Sequence, residues 1–297
     1  MKTAIALVGF NRPQYFEECT ASLAKNDLSG HDVFCFVDGG KNSKADEYAE
    51  ILDKSGIKIK NFLPQPDNVG CGRHMIYVRE LLLEERKYDR LLIIEDDVVV
   101  TKTYVKFMSV LADWGYRQPN VGVISGFSPI KTAAKDVLSA SSDVFMGDSN
   151  WISYLISRDV WRTIRSDMLE YRDTFLLDCD YHSRNHNMIR NWIYAKTVNC
   201  PSLSQSLPDC VRDFWKKQTA KFLNRKSATG QDGVTCAMLF RHGLAKMATR
   251  LNRCRHIGIY GQHARPHHPG TQELAAQELH ECSLDGGVRS FQWWCHQ

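Results

Sequence analysis

The chain has no run of about 20 consecutive apolar residues, the length a helix needs to cross a bilayer, and no segment reads as a membrane span. It has no CxxC pair: its 10 cysteines stand apart, at positions 19, 35, 71, 179, 200, 210, 236, 254, 282 and 295. That removes the common zinc-ribbon and dithiol patterns and predicts reduced thiols. It has no long basic run; 38 Lys and Arg are scattered among 34 Asp and Glu, for a net charge of +4, and nothing marks a nucleic-acid binder. It has no secretory signal: the apolar stretch in "MKTAIALVGFNRP" is only about seven residues long and runs into Asn11, Arg12 and Pro13 rather than a cleavage site. The expected location is therefore cytoplasmic. No internal repeat is visible. Nor does a glycine-rich loop follow the first apolar run, since "GFNRPQY" offers one glycine and one arginine. That argues against a nucleotidyltransferase, which usually carries such a loop to cradle phosphates.

What is present is a globular composition, 297 residues with 43% hydrophobic and 24% charged. The first half alternates strand and helix signals. Residues 3–10, 32–40, 57–66 and 89–100 read as strands; 13–26, 44–56, 72–87 and 103–117 read as helices, with Pro13 suited to a first turn and Gly56 to a stop. This rhythm predicts an α/β fold, a mostly parallel sheet with helices on both faces. The second half is less regular. Residues 121–129 read as strand and loop, 146–164 as loop, strand and helix, 175–192 as helix and 193–206 as strand. Beyond Pro208, 213–227 is a basic amphipathic stretch, 234–251 a helix and 253–270 a histidine-rich loop. The expected organisation is one domain over 1–208, with a nucleotide half (1–100) and an acceptor half (101–208), and a helical, loop-rich extension over 209–297 packed on it.

Ligands of such sheets bind beyond the carboxyl ends of the strands. Asn11 and Arg12, Asp38 with its two glycines, and Glu95, Asp96 and Asp97 all fall at such ends. The last three stand inside "LLIIEDDVVV". Burying three adjacent negative charges is costly unless something positive meets them. A hard divalent cation, Mn2+ or Mg2+, takes oxygen ligands of this kind and would neutralise a diphosphate. The plainer alternative is a solvated strand end. A zinc site from Cys254, His256 and His263 is a lesser reading, because its spacing fits no common pattern.

Several motifs in order resemble the GT-A fold of nucleotide-sugar glycosyltransferases. "ALVGFNRPQYFEECTASL" resembles the opening strand, loop and helix; "FVDGG" resembles the second nucleotide-contacting strand end. "NVGCGRHMIYVRELL" followed by "YDRLLIIEDDVVVTKTYVKFM" is similar to the arginine-histidine helix and EDD strand, a variant of the DxD motif, of the N-acetylglucosaminyltransferase I group. The likeness covers about residues 3 to 206, and order and spacing carry it rather than any single piece. It implies that Asp97 binds the metal, that Glu95 and Asp96 face the donor's sugar and ribose, that Asn11, Arg12 and Asp38 contact the nucleoside, and that Arg73 and His74 approach the diphosphate or sugar.

The implied activity is inverting, metal-dependent transfer from a nucleotide sugar, a UDP-sugar by preference, to a hydroxyl of a glycan or lipid-linked acceptor. Such transfer needs a carboxylate base. The resemblance offers Asp178 and Asp180 without choosing; Asp180 is slightly preferred because Asp178 lies nearer Phe175, Leu176 and Leu177. Asp232, ahead of another helix, is an outside candidate. Trp151 is the expected acceptor-side aromatic. The family often places a metal-binding histidine after the position of "SLSQ"; here Asp209, Cys210 and Val211 follow, and His263 is the expected substitute from a longer excursion. A basic face over 213–227 would suit peripheral membrane contact. The alternatives are nucleotidyl transfer and a non-catalytic binding module.

Overall fold

β1 (Thr3–Gly9) is buried along all seven residues. A strand with no polar face belongs inside a parallel sheet covered on both sides. The computed structural model describes residues 1–128, 130–147, 151–177, 183–199, 209–259, 277–281 and 291–294, and it places β1 there. α1 (Pro13–Leu23) opens on the proline, β2 (Asp32–Val37) follows, and α2 (Ala45–Ser55) ends at Gly56, whose φ of 73° is the left-handed stop that glycine permits. β3 (Ile59–Pro64) leads to α3 (Gly70–Arg79), which runs on into a π-helical segment, Glu80–Glu85. β4 (Arg90–Glu95), β5 (Val98–Val100), α4 (Tyr104–Gly115) and β6 (Val121–Ser125) complete the expected alternation.

The second half contributes β7 (Asp143–Gly147), β8 (Tyr154–Ser157), α5 (Arg158–Phe175), α6 (His186–Thr197), α7 (Asp209–Leu223), α8 (Gln231–Arg241), β9 (Ala245–Thr249), β10 (Cys254–His256) and β11 (Gln292–Trp293). Among the described residues, nine strands form one sheet in the order β11-β7-β9-β6-β8-β4-β1-β2-β3, and β10 pairs with β5. Strands β3, β2, β1, β4, β6 and β9 run one way; β8, β7 and β11 run against them. The α/β class with a mostly parallel, helix-flanked sheet is thus the observed one.

Three local expectations are corrected. Residues 193–206 are not a strand where described: α6 continues to Thr197, burying Ile189, Ile193 and Thr197 at helical spacing. The helix expected over 234–251 is α8 followed by β9, separated at Gly243, whose φ is +74°. The loop expected over 253–270 begins with β10. The stretch after 208 supplies α8 and β9, and β9 lies inside the sheet between β6 and β7.

One buried acid ties three helices together. Asp167 of α5 accepts from Lys196 Nζ of α6 (3.1 Å), from Arg241 of α8 and from His242 Nε2 (3.2 Å). Its burial acts upward, but these partners outweigh it and hold the carboxyl below its usual range. A depressed value stabilises the fold above the unfolded-state pKa, and that contribution is lost as pH falls. Asp167→Asn should therefore cost about 2 kcal/mol at pH 7 and progressively less as the pH falls below the usual carboxylate range, read from urea unfolding; a cost that does not fall with pH would contradict the ion cluster.

Candidate active site

The sheet order reverses beside β1: the chain steps outward through β2 and β3, then returns to the other side of β1 as β4. That switch point, at the carboxyl ends of β1 and β4, is where sheets of this kind bind their ligands. The Asp96 amide donates to Val8 O (2.9 Å), which extends the β1–β4 ladder by one residue beyond β4. Asp96 and Asp97 are each only 1% exposed.

Their countercharge comes from the chain itself. Arg12, just beyond β1, donates through one terminal nitrogen to Asp96 and through the other to Asp97. Tyr48 of α2 donates its hydroxyl to Asp96 Oδ2. Gly9 leaves room for that ring, since a Cβ there would collide with it. Burial would lower the Arg12 pKa, but Asp96, Asp97 and Glu95 outweigh it and drive it up. Burial pushes Asp96 up to about 6 although Arg12 opposes it. Asp97 is held below its usual value, because its contacts with His256 and Arg12 prevail over burial. Glu95 rises well above the usual carboxylate range, through burial first and then repulsion from Asp97 and Asp232.

The sequence marks His256 only as part of a possible zinc site. It reaches the acids because β10 pairs antiparallel with β5, opposite Val98, and because Ile257 N donates to Asp97 O (2.8 Å). Its Nε2 lies 2.9 Å from Asp97 Oδ2. Gly258 closes this corner: a Cβ there would fall on Asp97 Oδ2. Cys254 turns away into the core, its Sγ 4.0 Å from Ile152 O, so the zinc reading does not hold for this pair.

A cation of the Mn2+ or Mg2+ type takes one or two carboxylates and fills its shell with phosphate oxygens and water. Asp97 and His256 make such a partial donor set, and Asp97 Oδ1 is a buried oxygen with no hydrogen-bond partner. Among the described residues, no three His, Cys, Asp or Glu groups converge as a complete ligand set. The described residues therefore fit an ion shared with a diphosphate rather than a closed all-protein one. Arg12 lies across the same oxygens and competes for them.

Asp38 clamps the loop before α3. Its Oδ1 accepts from Gly39 N and Val69 N and its Oδ2 from Gly70 N, each at 2.9 Å. His74 is turned into the core edge-on to Phe36, with ring centroids 6.4 Å apart, and burial lowers its pKa against the pull of Asp38. Arg73 stays at the surface, donating to Leu177 O (3.3 Å), in a cleft between α3 and the end of α5. Asn11 is exposed beside Arg12. Asp178, Asp180 and His263 lie outside the described residues.

Asp232 stands in the first turn of α8. Asp38 bonds the amides of Val69 and Gly70 at the start of α3, and a Cβ on Gly72 would lie 3.7 Å from Gln231 Cβ, so α8 begins beside that helix end. Burial pushes Asp232 up to about 6 although Arg79 and Lys246 pull it down. Trp151 is 4% exposed; it meets Tyr154 edge-on at 4.9 Å and donates Nε1 to Cys236 Sγ (3.1 Å).

No protein-family model matches the chain, and no curated relative matches it either. Solved structures do. Staphylococcus aureus TarS, residues 1–349, is 15% identical with a TM-score of 0.45 over 76% of this chain and 71% of that one; a structure of it in complex with UDP-GlcNAc gives 0.42. Mycobacterium tuberculosis glucosyl-3-phosphoglycerate synthase, in complex with Mn2+, UDP and phosphoglyceric acid, is 14% identical with a TM-score of 0.37 over 55% of this chain and 57% of that one. The glycosyltransferase GlyE of Streptococcus pneumoniae TIGR4 is 14% identical with a TM-score of 0.35 over 59% and 39%. These are similarities of overall fold.

A carboxyl raised from 3.8 to about 6 on folding favours the folded state while protonated, and that advantage is lost as pH rises through about 6. Asp232→Asn should equal the parent near pH 4 and exceed it at pH 7.5 by about 1 to 2 kcal/mol, discounted because the carboxylate is partly open to solvent. Equal urea midpoints at both pH values would contradict the crowding of Asp232.

Proposed function

We propose that the chain is an inverting, metal-dependent glycosyltransferase of GT-A type, moving a sugar from a UDP-sugar to a hydroxyl of a glycan or lipid-linked saccharide. The observation that carries this is the pair of carboxyl environments at the end of β4 and the start of α8: Asp97 paired with His256, and Asp232, a carboxyl of raised pKa whose charge reaches Glu95.

Asp232 is the base in this reading. A pKa near 6 leaves it ionised at pH 7 yet basic enough to accept a proton. The acceptor hydroxyl gives that proton to Asp232 as its oxygen bonds the anomeric carbon, and the bond from that carbon to the diphosphate oxygen breaks on the far side. Asp97 and His256 would hold Mn2+ or Mg2+. When bound, the ion neutralises the diphosphate as it leaves. Arg12, fixed by Asp96, adds a guanidinium beside it. Asp38 holds the nucleoside side of the site through the backbone of residues 69 and 70. Glu95 faces the sugar.

With Mn2+ present, one or more UDP-sugars should raise the melting temperature by several degrees, and slow turnover should release UDP. Asp97→Ala should abolish both. Release of pyrophosphate instead would establish nucleotidyl transfer, and absence of stabilisation by any nucleotide sugar would leave only a binding module. Asp232→Asn should lower turnover about 100-fold or more with UDP binding kept; the same loss in Asp180→Asn or Asp178→Asn alone would move the base there.

The exposed side of α7 and its end presents Lys216, Lys217, Arg225 and Lys226, while Trp215, Gln218 and Phe222 turn inward. This face suits an anionic membrane carrying a lipid-linked acceptor. The chain should sediment with vesicles containing phosphatidylglycerol and not with neutral ones, and reversing those four charges should abolish it; sedimentation that survives the reversal would contradict this surface.

A further inference from the structure

We infer that Arg79 is a positioning residue for Asp232, acting through the side chain of Gln231, so that one oxygen of the carboxylate is held and the other faces the acceptor. This rests on the reading of Asp232 as the base.

Arg79 ends α3 with no exposed surface. Its guanidinium lies 5.5 Å from the Tyr154 ring and 5.6 Å from the Trp161 ring. One nitrogen, Nη2, donates to Tyr154 Oη and to Gln231 Oε1 (3.0 Å). The remaining two, Nε and Nη1, are buried without a hydrogen-bond partner. Such a cation is a poor way to fill a core, where an apolar side chain of similar volume is commonly as stable or more so. Its chain neighbour Glu80 is no partner either, being turned to Trp161 Nε1 (2.8 Å) and Arg165 (2.7 and 2.6 Å). A fully buried charge kept under these conditions needs another use.

Gln231 supplies it. A guanidinium only donates, so the amide oxygen of Gln231 must face Arg79 and the amide nitrogen is sent the other way. That nitrogen donates to Asp232 Oδ1. The amide cannot flip without setting its NH2 against the guanidinium. With Oδ1 engaged, Oδ2 is the oxygen left for a proton. The surroundings agree with a tuned group. Burial raises its pKa, Arg79 from α3 and Lys246 from β9 pull it back toward the charged form, and its own charge raises the pKa of Glu95 of β4. Tyr154 from β8 and Cys71 from α3 feel its charge, and His186 at the start of α6 holds Thr229 Oγ1 (2.6 Å) just before α8.

The test is a titration of Asp232 that requires neither donor nor acceptor. Gln231→Met removes both hydrogen bonds at nearly constant shape; Gln231→Glu keeps the acceptor for Arg79 and sets a second carboxylate against Asp232. Each variant, and the parent, is compared with its Asp232→Asn partner by urea unfolding from pH 4 to pH 8. The stability difference within each pair titrates with the folded-state midpoint of Asp232, near 6 in the parent. The expected midpoint rises by about one pH unit in Gln231→Met, the tenfold change in proton affinity that follows loss of a hydrogen bond to the charged form, and further in Gln231→Glu. Binding of Mn2+ with UDP should be unchanged in both. Midpoints that stay near 6 in two folded variants would overturn the relay, as would loss of UDP binding, because the relay touches only the base. Full UDP-sugar turnover in Asp232→Asn would instead overturn the base assignment, so the two failures are distinguishable.

Discussion

The structure depends on how a buried strand can end in three carboxylates. β4 carries apolar side chains up to Ile94 and ends at the half-buried Glu95, and Asp96 and Asp97 follow in a buried turn before β5. The fold meets this with one guanidinium, one phenol and one imidazole, brought from three separate places in the chain: Arg12 after β1, Tyr48 on α2 and His256 on β10. Each partner fixes an element. Arg12 holds the turn into α1, Tyr48 holds α2 beneath Gly9, and His256 holds the end of the β5–β10 pair. The acids therefore organise the site before any ligand arrives, which is the preorganisation that binding a charged group requires.

The reading of the sequence reached much of this rim, and missed the rest for identifiable reasons. The apolar runs of β1, β2 and β4 are legible because doubly covered parallel strands have no polar face to confuse the pattern. The polar residues that interrupt them at Arg12, Asp38 and Glu95 then mark strand ends. His256 was visible only as one histidine among several, because its role depends on a strand pairing across more than 150 positions, to Val98, which no local period records. The alternation in "CRHI", with Cys254 turned inward, was the available signal. β9 hid in a stretch whose Ala, Met and Lys suit a helix equally well, and its place between β6 and β7 overrides that propensity. The π-helical segment after Arg79 has no sequence signature at all.

Asp232 illustrates a different limit. In the sequence it is one acid at a helix start, no stronger than Asp178 or Asp180. In the fold its neighbours bury it and raise its pKa to about 6, against the pull of Arg79 from α3 and Lys246 from β9. Those neighbours, and not the residue type, separate it from an ordinary helix-capping acid. The result is a division of labour between carboxyls set by environment alone: Asp97 held charged against Arg12 and His256, and Asp232 raised to a pKa of about 6. The first suits a site that must attract a cation; the second suits one that must take a proton.

The most direct measurement is a crystal structure of the chain with UDP-sugar and Mn2+, with the ion located by its anomalous scattering. The account predicts the Mn2+ peak bonded to Asp97 and His256 and to the diphosphate, with the sugar's anomeric carbon turned toward Asp232. A nucleotide bound away from the carboxyl ends of β1 and β4, or a metal peak that does not touch Asp97, would contradict it.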